Sequence, residues 1–192
     1  MYQRKKERGF TIIELLVVIV IVAILAVLVV VGYGSIRQRA DAMRALSIVD
    51  AYEKMFRLYY SDYQQFPPVV NDGAYGTGEV CLGQVSDFPA VSGTFNSGDC
   101  IYNSNDGYRV AAYQPFINLV TAYTGSFPQA RIPDTPLGVE TWRGFRYTAF
   151  YGYKMIRIEW IIPGAHEDWC GRANGSDIWW GSTWCTLQID MR

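Results

Sequence analysis

The chain has 192 residues, of which 50% are hydrophobic, and a formal net charge of −1. This length accommodates one domain of ordinary size with an appended element. The composition excludes a disordered chain, a collagen-like repeat and a basic nucleic-acid-binding protein.

Residue types are distributed unevenly along the chain. All 8 prolines, all 4 cysteines and 15 of the 18 glycines follow residue 65. Residues 1–9 carry four basic side chains and one acidic one, so they hold a charge of +3 and leave −4 for the rest. We therefore expect three parts of different character, residues 1–9, 10–65 and 66–192, rather than one uniform cytosolic globule.

The first predicted element is an apolar helix. Residues 15–31 are 17 consecutive apolar residues, and Phe10, Ile12 and Ile13 extend the run. As a helix, residues 10–31 measure about 33 Å, which matches a bilayer hydrocarbon core of about 30 Å. The basic residues precede the run, so the N-terminus is expected in the cytoplasm and the bulk of the chain outside.

Three interpretations of this segment compete. A secretory signal peptide would have a shorter apolar region, with a cut near Gly32-Tyr33-Gly34. A plain single-pass anchor explains the length but leaves the charge of Glu14 unexplained, at a cost below the roughly 2.5–3.5 kcal/mol of a charge at a helix centre. The third interpretation accounts for both Glu14 and the basic residues.

That interpretation depends on the order of residues 5–14, Lys-Lys-Glu-Arg-Gly-Phe-Thr-Ile-Ile-Glu, ahead of the apolar run. This order resembles the N-terminal signal of type IV pilins and of type II secretion pseudopilins. The resemblance implies that a prepilin peptidase of the inner membrane cuts between Gly9 and Phe10, removes residues 1–9 and methylates Phe10. The chain is then a substrate and not an enzyme, with no catalytic residue, no metal and no cofactor.

Glu14 is the fifth residue after the expected cut. The resemblance implies that its carboxylate lies in the core of a filament and meets the N-terminal amine of a neighbouring subunit. A lone buried carboxylate is costly, and an ammonium partner offsets that cost. We therefore expect Glu14 to set the axial register of assembly.

Gly32 and Gly34 lie at the end of the apolar run. Together they cost about 2 kcal/mol relative to alanine inside a helix. They are interpreted either as a hinge where a subunit stretches and repacks, or as a tolerated kink at the membrane exit.

From Ser35 the apolar spacing becomes three or four residues, which predicts an amphipathic continuation of the same helix. Phe66-Pro67-Pro68 is expected to end the helix near residue 64. Residues 59–67 also resemble the place where pilins leave their long helix. The apolar stripe is expected to face the core and comprises Ile36, Ala40, Met43, Leu46, Val49, Tyr52, Phe56, Tyr59 and Tyr63.

Residues 66–192 have the composition of a loop-rich β domain. Several strands on one helix predict an α+β fold. The resemblance implies a small antiparallel β-sheet packed on the C-terminal half of the long helix. The strand candidates are residues 108–113, 118–124, 145–151, 155–162 and 184–189.

The four cysteines follow the membrane segment, on the side where disulfides persist. They permit three pairings. We favour the two local loops, Cys81 with Cys100 and Cys170 with Cys185, each worth about 3 kcal/mol in the chain-entropy model. Cys170 and Cys185 also resemble the pair that closes a C-terminal loop in the pilin family.

All 6 tryptophans follow residue 141. Trp179 and Trp180 lie in the polar loop between the last two cysteines, where they suggest either a glycan-stacking surface or core and subunit contacts. We favour core and subunit contacts.

Other candidate sites are weaker. His166 near Cys170 suggests Cys/His catalysis, but the cysteine is better explained as half of a disulfide. Asp99, Asn105 and Asp106 suggest a calcium loop, although their spacing alone does not define one. No nucleotide, zinc-protease or EF-hand pattern occurs in the sequence.

The sequence therefore predicts the structural subunit of a type IV pilus. The alternatives are a pseudopilin of a type II secretion system and a membrane-anchored extracellular binding domain that does not polymerise. The expected partners are other copies of the chain in a helical homopolymer, prepilin peptidase, the inner-membrane pilus or secretion assembly machinery, and the membrane, with no nucleic acid as a direct ligand. The expected location is a single-pass membrane protein before assembly and an extracellular filament afterwards.

Overall fold

The structure is a computed structural model that describes residues 11–69, 78–150 and 154–191, with the backbone alone for residues 29–32. The chain divides into two compact units, Met1–Arg37 and Gln38–Arg192. The division groups the second half of the long helix with the β-sheets.

Helix α1 extends from Ile12 to Tyr63, 52 residues without a proline. It ends where the sequence predicts, because Gln64 has a positive φ of 54° and Phe66-Pro67-Pro68 follows. Among the described residues it is the one helix that is long and apolar enough to cross a membrane. The prediction of a single helix through both halves of the N-terminal region is confirmed.

The second half of α1 buries one face against the sheets. The predicted stripe is correct at Val49, Tyr52, Phe56 and Tyr59, which are all buried. It is wrong at several other positions: Ala42 and Ala45 are buried, whereas Ile36, Ala40, Met43 and Tyr63 are exposed. Alanine can take the innermost positions of a closely packed helix because a methyl group leaves room for its neighbour.

The first sheet has five antiparallel strands in the order β1, β6, β7, β9, β8. Its inner face carries the registered residues Tyr147, Ile158 and Leu187, and the Tyr147 ring lies 4.9 Å from that of Phe56 on α1. Along each strand, the residues that alternate with these point to the outer face of the sheet. The strands are β1 (Glu79–Leu82), β6 (Phe145–Phe150), β7 (Met155–Pro163), β8 (Gly175–Trp179) and β9 (Ser182–Asp190).

The second sheet has four antiparallel strands in the order β3, β2, β5, β4. The Cys81–Cys100 disulfide joins β1 of the first sheet to β2 of the second, and both cysteines are fully buried. The expected α+β fold is confirmed, with two sheets where one small sheet was expected. The strands are β2 (Asp99–Asn103), β3 (Arg109–Ala111), β4 (Thr135–Leu137) and β5 (Glu140–Trp142).

One strand prediction is wrong, because residues 118–124 belong to helix α2 (Gln114–Thr124). Its apolar residues Phe116, Ile117 and Val120 are buried on one helical face, Pro115 lies in the first turn and Gly125 ends the helix in the left-handed conformation. The β-branched residues suggested a strand, but the helix is decided by this face and by its two end residues. The candidates at 108–113, 145–151, 155–162 and 184–189 overlap β3, β6, β7 and β9, respectively.

Candidate assembly segment and surface groove

Glu14 lies in the first turn of α1, where it forms a reciprocal cap with Thr11. The Thr11 N–H and Oγ1–H donate to Glu14 Oε2 at 2.8 and 2.9 Å, and the Glu14 N–H donates to Thr11 Oγ1 at 3.3 Å. This arrangement satisfies helix N-terminal donors that have no partner within the helix. Glu14 Oε1 accepts no hydrogen bond from any described residue, so it remains available to a cation.

The segment after Glu14 is apolar on all sides. Every large apolar side chain between Ile12 and Leu28 is between 47% and 84% exposed. A helix without a polar face must be buried in lipid or against protein. This stretch therefore has the properties of both a membrane anchor and a packing surface.

The other predicted N-terminal sites are only partly described. The expected cleavage site at Gly9 and Phe10 lies outside the described residues. Helix α1 continues through Gly32 and Gly34 without interruption. A Cβ added at Gly34 would meet no atom within 4 Å. The hinge function stays a prediction.

The C-terminal loop closed by the Cys170–Cys185 disulfide is attached to α1. A Cβ at Gly171 would lie 2.9 Å from Leu46 Cδ1. Arg172 Nη2 lies 3.4 Å from the buried carboxylate of Glu53, and Arg172 Nη1 lies 3.7 Å from the exposed carboxylate of Asp50. The loop is thus held to the helix at both an apolar and a charged contact.

The outer face of the five-stranded sheet carries a network of charged groups. Arg146 Nε donates to Glu159 Oε2 at 2.7 Å. Arg146 Nη1 lies 3.7 Å from Glu79 Oε2, which accepts a hydrogen bond from the Tyr108 hydroxyl. Burial by itself would lower the pKa of Arg146, but the neighbouring carboxylates raise it. Burial and the hydrogen bond to Glu79 raise the pKa of Tyr108. Arg146 is therefore fixed in place as a cation.

Trp179 and Trp180 lie at the turn between β8 and β9. Trp179 pairs with Ser182, and the two residues between them, Trp180 and Gly181, have φ of 54° and 77°. Trp179 is 51% exposed and Trp180 is 79% exposed. These two tryptophans are therefore not core residues, in contrast to the core part of the sequence interpretation.

Two cavities adjoin Trp184 and together form what we call the sheet groove. The aromatic end, about 340 Å³, is lined by Gly138, Glu140, Arg146, Trp179, Trp180 and Trp184, among others. The polar end, about 390 Å³, is lined by Trp184 with Arg157, Glu159, Asn174, Asp177, Thr186 and Gln188, among others.

Sequence reasoning located Trp179 and Trp180 but not their partners in the groove. The β4–β5 turn at Gly138 belongs to the second sheet, whereas strand β6 and the β8–β9 turn belong to the first, so these parts meet only through packing between the two sheets. Alternation of apolar and polar residues in β7 was the available signal, since the register places Arg157 and Glu159 on the outer face with Trp184 of β9.

The remaining candidates have structural functions. His166 stacks on Trp169 at 3.6 Å, and Cys170 is bonded to Cys185, so it offers no free thiol. Asp99 pairs with Arg109 at 2.9 Å. Asp106 accepts a hydrogen bond from the Tyr108 N–H. No cluster of three metal-ligating side chains occurs within the described ranges.

Comparison with known proteins gives one match, in the N-terminal region. Residues 4–30 match the family described as the prokaryotic N-terminal methylation motif, the prepilin-type signal of type IV pilins and pseudopilins. No curated protein and no solved structure matches the chain. The motif supports a type IV pilin-like or pseudopilin protein, and together with the apolar helix it supports anchoring in a membrane.

Proposed function

We propose that this chain is the structural subunit of a type IV pilus filament, cut after Gly9 and polymerised through α1. The observation that carries the proposal is the combination of a matched prepilin motif at residues 4–30 with a helix whose apolar side chains have no cover in the monomer. Residues 1–9 are then a leader peptide, and residues 66–192 are displayed outside the cell.

The apolar segment serves two successive states in this proposal. Before assembly it is buried in the bilayer, and after extraction it is buried against the same segment of other subunits. Both states remove the same side chains from water, so the transfer between them loses little hydrophobic stabilisation. Specificity must therefore come from a polar group.

Glu14 supplies that polar group. Its Oε2 is already engaged by Thr11, whereas Oε1 is available to the amine of Phe10 in a neighbouring subunit. An unpaired carboxylate in an apolar core is strongly disfavoured, so only the axial offset that pairs Glu14 is favourable. The Thr11 contacts hold the carboxylate in one orientation and reduce the entropy lost on pairing.

The first experiment is mass spectrometry of the mature chain. We expect residues 10–192 with one methyl group on Phe10. An intact Met1, or a start at Ser35, would contradict the proposal and would favour a simple anchor or a secretory signal.

The second experiment compares filaments made by Glu14→Ala, Thr11→Val and the exposed-site control Glu167→Gln. We expect Glu14→Ala to be processed and anchored but excluded from filaments, and Glu167→Gln to assemble normally. If Glu14 acted only as a helix cap, Thr11→Val would block assembly equally.

A pseudopilin of a type II secretion system is the alternative, since the same motif occurs in both classes. Immunogold electron microscopy of producing cells separates the two. Long surface filaments labelled by an antibody to residues 78–192 are expected for a pilin. Their absence from cells that contain the processed chain would favour the pseudopilin.

A further inference from the structure

The sheet groove has an apolar wall made of flat aromatic rings. Trp179 and Trp180 expose their indoles at the β8–β9 turn, and the Trp179 ring stands at 82° to that of Trp184 at 6.3 Å. Trp180 occupies a left-handed backbone position that disfavours bulky side chains. Strained positions of this kind are concentrated at ligand sites.

The indole of Trp180 packs against Gly138 in the turn between β4 and β5. A Cβ at Gly138 would lie 2.9 Å from Trp180 Nε1, so the ring lies directly on the β4–β5 turn. One face of Trp180 is therefore supported by the protein, and its exposure of 79% leaves the other face to solvent. This is the geometry of a stacking platform.

The groove also contains hydrogen-bonding groups without partners. Trp184 Nε1 and Arg157 Nε are both buried, and neither donates to an acceptor among the described residues. Glu140 Oε2 accepts from Trp142 Nε1 at 2.8 Å, and its other oxygen is not engaged by any described residue. Buried donors without partners are costly, so a ligand that supplies acceptors here is favoured.

The charges of the groove disfavour anions. Its lining contains three acidic side chains, Glu140, Glu159 and Asp177, against the two basic ones of Arg146 and Arg157. Arg146 is already paired with Glu159. A phosphate, a nucleic acid or an acidic sugar would therefore meet unfavourable electrostatics.

We propose that the sheet groove binds a neutral oligosaccharide. One pyranose ring would stack its apolar C–H face on Trp180, beside Trp179, and the hydroxyls of the next ring would bond to the polar groups around Trp184. A sugar hydroxyl both donates and accepts, so it matches a lining that offers an indole N–H, a guanidinium N–H and a carboxylate oxygen. Both cavities fall within the range of about 300–1,000 Å³ typical of small-ligand sites.

This proposal does not depend on how the chain assembles. A contact between subunits is the competing use of the same aromatic surface. It differs in its requirements, because a subunit contact needs no unpartnered donors in the groove and no affinity for a free sugar.

The test uses the full chain in micelles of lauryldimethylamine oxide, since glucoside and maltoside detergents present sugar head groups. The probes are cellotetraose, chitotetraose and mannotetraose, with tetragalacturonic acid as the anionic control. Binding is measured by isothermal titration calorimetry, and the indole N–H resonances of Trp179, Trp180 and Trp184 are followed by NMR.

At least one neutral probe is expected to bind saturably and to shift these three indole resonances. Trp180→Asn suits the turn better than tryptophan, so it should stay folded while the affinity falls by about tenfold or more. Tyr63→Ala removes an exposed ring elsewhere on the domain and should leave binding unchanged.

Three results would overturn the proposal. They are the failure of all three neutral probes to bind, wild-type affinity in Trp180→Asn, and tighter binding of tetragalacturonic acid than of any neutral probe. If no neutral probe binds the wild type and Trp180→Asn also loses filaments, the aromatic surface is a subunit contact instead.

Discussion

Gly171 lies against the end of the Leu46 side chain, where an added Cβ would displace the leucine methyl groups. A Cβ at this position would be 2.9 Å from Leu46 Cδ1, and the backbone of Gly171 has φ 60° and ψ −111°. This conformation is outside the region accessible to residues with a Cβ. The contact therefore requires glycine for two independent reasons, one steric and one conformational.

Gly171→Ala should lower the free energy of unfolding by about 2–3 kcal/mol, because it adds both backbone strain and a clash. The measurement is urea unfolding of the full chain in micelles, followed by tryptophan fluorescence. Gly125→Ala is the matched control, since Gly125 also has a positive φ (77°) but would meet no atom within 4 Å. It should cost only about 1 kcal/mol, and equal losses in the two variants would contradict the steric argument.

Trp180→Asn should raise the free energy of unfolding by about 0.5–1 kcal/mol, because asparagine tolerates the left-handed conformation and Asn-Gly is the preferred pair in such a turn. Trp180→Ala removes the same ring without relieving the backbone, so it should not be stabilising. A comparison of the two variants in thermal melts isolates the strain. A Trp180→Asn variant less stable than Trp180→Ala would show that the position is unstrained.

Glu159→Gln should destabilise the domain by about 2 kcal/mol, because it leaves the largely buried Arg146 without its 2.7 Å partner. Glu79 remains 3.7 Å from Arg146 and limits the loss. The control is Asp134→Asn, which breaks the exposed pair with Arg131 and should cost less than about 0.5 kcal/mol. The free energy of unfolding of both variants is measured by chemical denaturation. Losses of similar size would contradict the expectation that the buried ion pair contributes more than the exposed one.

Tyr123 should make one contact between α2 and α1 sensitive to alkaline pH. Its hydroxyl donates to Asp62 Oδ2 at 2.6 Å, and this bond, assisted by desolvation and by the Asp62 charge, raises the pKa of Tyr123 to about 12. Because the folded pKa is above the ordinary value near 10, the stabilisation is complete below pH 10. It is lost as the pH rises through 12.

This titration can be followed through the 13C resonances of labelled tyrosine, with Tyr123→Phe used to assign the signal. Asp62→Asn removes the charge and should move the midpoint of Tyr123 towards 10. A wild-type midpoint already near 10 would show that the hydrogen bond to Asp62 does not persist in solution.

Local sequence patterns predicted the elements whose stability is local. The helix of residues 12–63 was predictable because it contains no proline and its apolar spacing changes only once. Strand β7 was predictable because Ile156, Ile158 and Trp160 alternate with polar residues. The strand predicted at 118–124 was wrong because the local preference of β-branched residues for strands is outweighed by burial of one helical face against the core.

The candidate sites also differ in whether a local sequence pattern was enough to predict them. The prepilin-type motif is a linear order of residues, so it could be identified without knowledge of the fold. The groove could not, because Gly138 comes from the second sheet and Arg146 and Trp180 from separate strands of the first, so they meet only through tertiary packing.

The sequence by itself determined that an apolar helix precedes a cysteine-containing β domain, because hydrophobicity and charge act along the chain without reference to the fold. The tertiary structure alone decided that there are two sheets joined by the Cys81–Cys100 bond, and that Gly171 must be glycine. It alone also showed that the unpartnered donors of Arg157 and Trp184 lie in one groove. These features are contacts between distant segments, and their energies depend on distances that no local pattern encodes.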